Sequence, residues 1–400
     1  MKRVLFFIDS FPNYSETFIY NQIYYLLDQG FLVEVLSIKK KIYDQNVVHL
    51  KMVEYNLQKR VRFLRHGLHM NLFINLLIFP LVSFRLLSSF SFKKSLFLIQ
   101  NLEIFNNYRY FDLIHVHYGH IGALVGDLRS CGLFENQKLV CSFHGEELLP
   151  VYLNSYHSKY SNMIKFFDAI TVNSLYTKNL VLNALKIGEQ IVYVLPVGLD
   201  LNFFKPSRVS KDQSLPFSIL FVGRLINWKA PILAIQIVEE LLKLNFEVKL
   251  NIIGSGPEYK KCYNYVVQKN LNNFVLFHGA LNQESIREFY NTSDLFLYPG
   301  IRDPETLKCE AQGLVIQEAQ AMQVPVIISE VGGMKYGIIN GETGFSVAEG
   351  DLNGFVEKIL ILLTDSELRL KMGKNGREFV TQEYDIEVLG KKMIKIYNLN

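Results

Sequence analysis

Residues 302–344 constrain the chain more than any other stretch: a glycine-punctuated loop, a helical period, then an apolar run that stops at a glycine pair. Gly313 interrupts any helix begun at Glu310, so residues 314–322 (LVIQEAQAM) are expected to form a helix that starts beside a loop. Residues 324–329 (VPVIIS) show no polar alternation and are mostly valine and isoleucine, as in a strand buried on both faces. Burial on both faces belongs to parallel sheets covered by helices, which makes the class α/β. The strand ends at Gly332-Gly333, and ligands of open parallel sheets bind just beyond such ends.

That placement gives the flanking carboxylates a chemical reading. Glu310 falls in the loop and Glu318 about a turn inside the helix, so both can face one crevice. The first backbone N–H groups of the helix, near residues 313–316, offer a site for an anion or a hydroxyl. Together they outline a site for a polyol and a phosphate. Alone, two glutamates would more simply be solvated residues on a helix face.

The remaining pattern repeats strand and helix. A strand at 4–8, a loop at 9–15, a helix capped at Ser15 and ended by Gly30, and a strand at 32–38 open a doubly wound domain. The first turn carries no GxGxxG, which removes the main support for a dinucleotide dehydrogenase. Strands at 112–116 and 139–143 run into His117-Tyr118-Gly119-His120 and His144-Gly145-Glu146-Glu147, at the ends where such sheets keep their chemistry. Strands at 169–174 and 191–197 complete this half, and the polar residues 207–216 read as a linker. Past it, a strand at 219–222 leads to Gly223-Arg224-Leu225 and Lys229, before a helix from about 232. A guanidinium that forks two oxygens and a mobile ammonium at one turn suit a diphosphate. Further strands end at Gly254-Ser255-Gly256-Pro257 and at His278-Gly279.

With 400 residues, 49% of them apolar, the chain exceeds one ordinary core, and two domains are expected. A net charge of +4 is too small to argue for nucleic acid. The four scattered cysteines read as reduced thiols, with no zinc or disulfide pattern, and Asp9 cuts the first apolar run too short for a signal peptide. Residues 57–102 contain no acid but carry Lys59, Arg60, Arg62, Arg65, Arg85, Lys93 and Lys94 among Leu, Phe and Ile. His69, Asn71, Asn75 and Pro80 make this a poor transmembrane span. Two readings stay open: helices lying on an anionic membrane, or a hairpin packed over the sheet.

Glu310 and Glu318 at their spacing, followed by Ala319, Pro325-Val326, Gly332-Gly333 and Gly341-Glu342-Thr343-Gly344, resemble the retaining glycosyltransferases of the large sucrose-synthase and mannosyltransferase-like family. Arg224 with Lys229, Val197-Gly198-Leu199-Asp200, Gly254-Ser255-Gly256-Pro257 and His144-Gly145 with Glu147 extend the match. Phe11-Pro12 and residues 15–19 (SETFI) are most similar to the bacterial exopolysaccharide branch, of colanic-acid and amylovoran type. The resemblance implies a GT-B fold, two facing Rossmann-like doubly wound parallel-sheet domains with an interdomain cleft. Its halves would be residues 1–205, an acceptor domain with the 57–102 insert, and 206–380, a donor domain. A last helix at 381–400 would return to the first half.

It implies equally a sugar transferred with retention from a nucleotide donor, UDP- or GDP-linked, to a lipid-linked or oligosaccharide acceptor at the inner face of a membrane. No metal or other cofactor is called for, and the setting is cytoplasmic and peripheral. Arg224 and Lys229 would neutralise the diphosphate and Glu318 would bind the ribose. Glu310, with the N–H groups of Gly313, Leu314 and Val315, would hold the sugar, which His144 touches. The backbone at Gly254 and Gly279 would line the nucleotide pocket. Ser15, Glu16 and Thr17 would present a helix start to the cleft or act as an ordinary cap, and Glu147 would orient an acceptor hydroxyl or brace its loop. His117 would belong to the acceptor side of the cleft, and His117 and His120 are both secondary candidates. Ala230, Ala311 and Gln323 replace glycines of the pattern, Val315 a proline and Tyr336 a glutamate. The departures at 311, 323 and 336 support a rival reading, a catalytically weak scaffold of the same fold, and a second rival is a same-fold nucleotide-sugar epimerase or phosphorylase.

Overall fold

The computed structural model describes residues 2–12, 17–41, 50–67, 69–207 and 216–398. Two parallel sheets organise them. The first contains β1 (Arg3–Phe11), β2 (Leu32–Lys40), β3 (Val61–Phe63), β4 (Leu113–His117), β5 (Lys138–Phe143), β6 (Ala169–Val172) and β7 (Val192–Val194), ordered β3-β2-β1-β4-β5-β6-β7. The second contains β8 (Phe217–Val222), β9 (Val248–Ile253), β10 (Val275–Gly279), β11 (Leu295–Tyr298), β12 (Val326–Ser329) and β13 (Gly344–Val347), ordered β10-β9-β8-β11-β12-β13. Each sheet winds outward from a central strand, first to one side and then to the other, so its order reverses at β1/β4 or at β8/β11. The fold is thus the α/β pair of Rossmann-like domains expected of GT-B, and each reversal point is where a crevice opens.

Helices cover both faces, which is why β4, β6, β11 and β12 are buried at every residue, polar His115, His117 and Thr171 included. Two strands come out shorter than their apolar runs. β6 stops at Val172 because the Ser174 side chain turns to cap the helix Leu175–Leu185, accepting from the Thr177 N–H at 3.2 Å. β7 stops before Pro196, whose nitrogen has no hydrogen to give the ladder. Most of the expected linker at 207–216 lies outside the described residues.

Several contacts join the two sheets' domains. The Gln312 amide takes the Val197 N–H at 2.8 Å and returns a hydrogen bond to its carbonyl at 3.0 Å. Arg377 donates to the carbonyls of Ala321 at 2.7 Å, Leu201 at 3.1 Å and Phe204. The last helix, Ile386–Asn398, sets Gly390 against the Tyr25 ring, where a Cβ would come within 2.3 Å of a ring carbon. Its Leu389, Met393, Ile396 and Tyr397 share a core with Val4 and Phe6. Beyond β3, the helices Asn71–Ile78, Pro80–Ser89 and Phe92–Ile99 pack through Leu72, Leu86, Leu98 and Ile99 onto Leu5 and Phe7. Among the described residues no single helix is long and apolar enough to cross a membrane, and the first two of these meet at 108°.

Candidate functional site

The carboxyl ends of β4, β5, β8 and β11 open on one cleft of about 510 Å³, lined by Phe18, Tyr118, His144 and Glu146 from the first domain and Arg224, Glu310, Gly313 and Leu314 from the second. The turn after β8 carries Arg224 to it across the glycines at 254 and 256. The Gly223 N–H reaches the Ile253 carbonyl at 2.9 Å and the Leu225 N–H the Ser255 carbonyl at 2.9 Å. A Cβ at Gly254 would lie 1.9 Å from the Gly223 carbonyl oxygen, so a side chain there would push the arginine turn out of place. Gly254 also donates its N–H to the Gly279 carbonyl at 2.7 Å. Ala230, standing where the pattern has glycine, adopts φ +51°, a left-handed conformation that costs alanine about 1 kcal/mol. Gln323 does the same at φ +59°.

Lys229 and Glu310, 81 residues apart, meet at 2.5 Å, and the Tyr298 hydroxyl donates to the same carboxylate oxygen at 3.0 Å. Burial, the largest single influence, pushes the Glu310 carboxyl up, but the Lys229 charge, the Lys229 and Tyr298 hydrogen bonds and Arg224 together outweigh it. Its pKa is held below the ordinary carboxylate value. Glu310 is therefore ionised, an acceptor already turned toward the cleft. Its loop is clamped from behind: the Gly333 N–H donates to the Glu310 carbonyl at 2.8 Å, and a Cβ at Gly333 would sit 1.6 Å from the Ala311 carbonyl oxygen. This close approach explains the glycine pair after β12.

Gly313, at φ +83°, precedes the helix Leu314–Ala321, whose first N–H groups, those of Leu314 and Val315 among them, face the loop. Inside the helix Glu318 is 7% exposed and accepts from the Tyr290 hydroxyl at 3.1 Å. Burial, only partly offset by that bond, raises its pKa to about 7. The two glutamates thus titrate apart: Glu310 lines the cleft, whereas Glu318 is buried behind it beside Tyr290.

On the facing wall, His144 Nε2 lies 3.0 Å from His117 Nδ1 with the rings parallel. Phe18 and Tyr118 pack on His144 at 4.7 and 5.0 Å between ring centres. Burial lowers the His144 pKa to about 3, so the ring is neutral. His117, expected beside the acceptor, is fully buried behind His144 and instead positions it; the HxH pattern of a buried strand places alternate residues on one face and could have signalled this. Glu147 turns into its own loop, where both oxygens accept from the His144 N–H at 3.2 Å. Burial raises its pKa to about 7. The acid on the cleft wall is its neighbour Glu146, 3.5 Å from Arg224 and 3.7 Å from Lys308. His120 sits 3.5 Å from Asp9, away from the cleft lining. Ser15 and Glu16 lie outside the described residues, and Thr17 begins the helix Thr17–Asp28. Tyr336 lines a neighbouring cavity with Glu383 and Tyr384.

Sequence reasoning did not find Glu146, Lys308, Tyr290 or Tyr298. Each acts through a partner far away in the chain, and nothing local marks it. Among the described residues no group of three or more histidine, cysteine, aspartate or glutamate side chains gathers as a metal site, and the four cysteines are buried free thiols.

Two family models match the chain: Glycosyltransferase Family 4 over residues 15–203 and Glycosyl transferases group 1 over residues 205–379. The chain is 25% identical over 382 residues to the amylovoran biosynthesis glycosyltransferase AmsK of Erwinia amylovora, covering 91% of each. It is 28% identical over 294 residues to the N-acetyl-alpha-D-glucosaminyl L-malate synthase of Bacillus anthracis, covering 72% of this chain and 74% of that one. The crystal structure of Anabaena Alr3699/HepE in complex with UDP superposes with a TM-score of 0.76 at 16% identity over 99% of both chains, a likeness of fold.

Proposed function

Because the chain belongs to the glycosyltransferases, through family 4 in its first half and group 1 in its second, we propose that it moves a sugar from a nucleotide-sugar to a growing glycan of a bacterial exopolysaccharide or capsule. One observation carries the reading: Arg224, the Lys229–Glu310 pair and the start of the Leu314 helix converge on a cleft whose opposite wall holds a neutral, fixed histidine. Arg224 and Lys229 take the diphosphate and neutralise the charge that grows on it as the glycosidic bond to the donor breaks. Glu318 accepts from the ribose hydroxyls. A vicinal diol is a double donor and selects the ionised carboxylate, so donor binding releases a proton from a group whose pKa is about 7. Glu310, held ionised by Lys229, accepts from hydroxyls of the sugar, and the N–H groups of Gly313 to Val315 supply donors beside it.

His144 stands over the reacting carbon, its neutral ring fixed at Nε2 by His117 and adding no charge of its own beside the sugar. No carboxylate of this set is assigned as a nucleophile. Transfer with retention then proceeds on the donor's front face, the departing phosphate oxygen taking the acceptor's proton as the new bond forms. The acceptor is lipid-linked or an oligosaccharide, approached at the inner face of the membrane. UDP is the first nucleotide to try, since HepE, of the same fold, was crystallised with it.

The test is a reaction of purified protein with UDP- and GDP-sugars and lipid-linked or oligosaccharide acceptors, with the anomeric configuration of the product read by NMR. An acceptor-dependent glycoside with the donor's configuration is expected. An inverted product overturns the retaining step; a rearranged donor points to an epimerase, and no product with any donor to a scaffold.

A further inference from the structure

The helices Asn71–Ile78 and Pro80–Ser89 bury Leu72 and Leu86 against the domain core but turn most of their other large apolar residues outward. Their polar residues Asn75 and Ser83 are buried at 0% and 1% exposure, while Leu77, Leu81, Phe84 and Phe73 are 83%, 75%, 70% and 68% exposed. Asn75 is held inward by a hydrogen bond from its amide to the Ile99 carbonyl at 2.8 Å, and Ser95 of the next helix likewise bonds the Leu86 carbonyl at 2.7 Å. Phe92, at the start of that third helix, extends the apolar face. With Leu72 and Leu86 holding the helices to the core, Phe73, Leu77, Leu81 and Phe84 form one exposed apolar patch of the kind that meets lipid. At eight and ten residues, about 12 and 15 Å long, neither helix reaches across a bilayer core. Their 108° bend makes them a wedge.

We propose that this wedge inserts its Phe73, Leu77, Leu81 and Phe84 face into one leaflet of an anionic bilayer. The charges agree. No acid occurs from residue 57 to 102, and Lys59, Arg62, Arg85 and Lys93 are exposed in that segment, Arg85 on the second wedge helix and Lys93 on the helix after it. The nearest acid in contact, Glu103, accepts from Asn71 at 3.0 Å. Arg65 and Lys94 contribute less than the sequence suggests, since they turn to Glu103 at 3.2 Å and Asp127 at 2.5 Å. The apolar face supplies most of the binding and the basic rim selects the lipid. This deepens the acceptor reading above: a docked cleft meets an acceptor that is itself anchored in the membrane.

The experiment is flotation of the full chain with vesicles of phosphatidylcholine, with and without phosphatidylglycerol, beside the double variant Leu77→Glu, Phe84→Glu. Both positions are exposed, and nucleotide binding measured on the same samples reports folding and tests the donor site independently. The wild type is expected to float with the anionic vesicles and the double variant to bind at least about tenfold more weakly, with nucleotide affinity unchanged. Equal flotation of the two, or none by the wild type, overturns the proposal. So does a wild-type dimer in sedimentation velocity that the double variant dissociates while vesicles bind neither, which would make the face an interface between copies.

Discussion

At pH 8 the Glu318 carboxyl must ionise in a buried position, with the Tyr290 hydroxyl at 3.1 Å as its donor, although burial has raised its pKa from the ordinary 4.5 to about 7. A raised carboxyl pKa means that the folded chain holds a proton the unfolded chain has lost. Stability from that proton is full below pH 4.5 and falls as pH rises to about 7. Held ionised, the group costs about 3 kcal/mol in the empty protein. Glu318→Gln keeps the oxygen that accepts from Tyr290 and removes the ionisation. Any fixed cost of its new NH₂ group cancels when the comparison is made between two pH values. The melting temperature of Glu318→Gln minus that of the wild type should therefore be more positive at pH 8 than at pH 5. A difference of about 6 °C corresponds to 2–3 kcal/mol in a domain of this size. Scanning calorimetry at both pH values reads it directly. In the same variant nucleotide affinity should fall at least about tenfold, because an amide cannot receive both ribose hydroxyls as a carboxylate does. A melting difference that is flat from pH 5 to pH 8 would refute the argument, since Glu318 would then titrate as an ordinary carboxylate.

Lys229→Met leaves Glu310 without its cation and should destabilise the protein by about 3 kcal/mol or more at pH 7. The stability that Lys229 confers by depressing Glu310 is present above the ordinary pKa and lost as pH falls through the depressed one, so the gap to wild type should narrow in acid melts. Gly333→Ala drives a Cβ into the Ala311 carbonyl and should abolish nucleotide binding in calorimetry, whereas Gly341→Ala, which meets nothing within 4 Å, should cost about 1 kcal/mol of stability for its φ of +82° and still bind. Glu146→Gln withdraws the carboxylate that stands between Arg224 and Lys308, and nucleoside diphosphate affinity should rise about two- to fivefold; an unchanged affinity would show that Glu146 does not compete for that place.

The fold was legible because it is written in runs: an unbroken apolar strand cannot be half-exposed, and β12 and its glycine pair fixed the layer architecture from one segment. The cleft residues Arg224, Glu310 and His144 were legible for a related reason, since each stands one to a few residues past a strand end or within the glycine-marked loop. What stayed hidden depends on distant partners. Only its place two residues after His115 in buried β4 hints that His117 lies inside, and its contact with His144, which faces the cleft, depends on the neighbouring strand. Glu146 and Glu147 are adjacent, and only the tightness of the turn sends one to Arg224 and the other to its own backbone. The composition of residues 57–102 suggested amphipathic helices and left their orientation open. Asn75 and Ser83 settle which face is inward only once the helices that receive them are in place.

The central claim is that the cleft's second-domain wall is a nucleotide-sugar site, and calorimetric titration of UDP, GDP and ADP into the wild type and Arg224→Ala tests it most directly. Selective binding of one nucleotide, lost in Arg224→Ala while the variant's melting temperature is unchanged, is the expected result. A folded wild type that binds none of the three, or an Arg224→Ala variant that binds as tightly as the wild type, would contradict it.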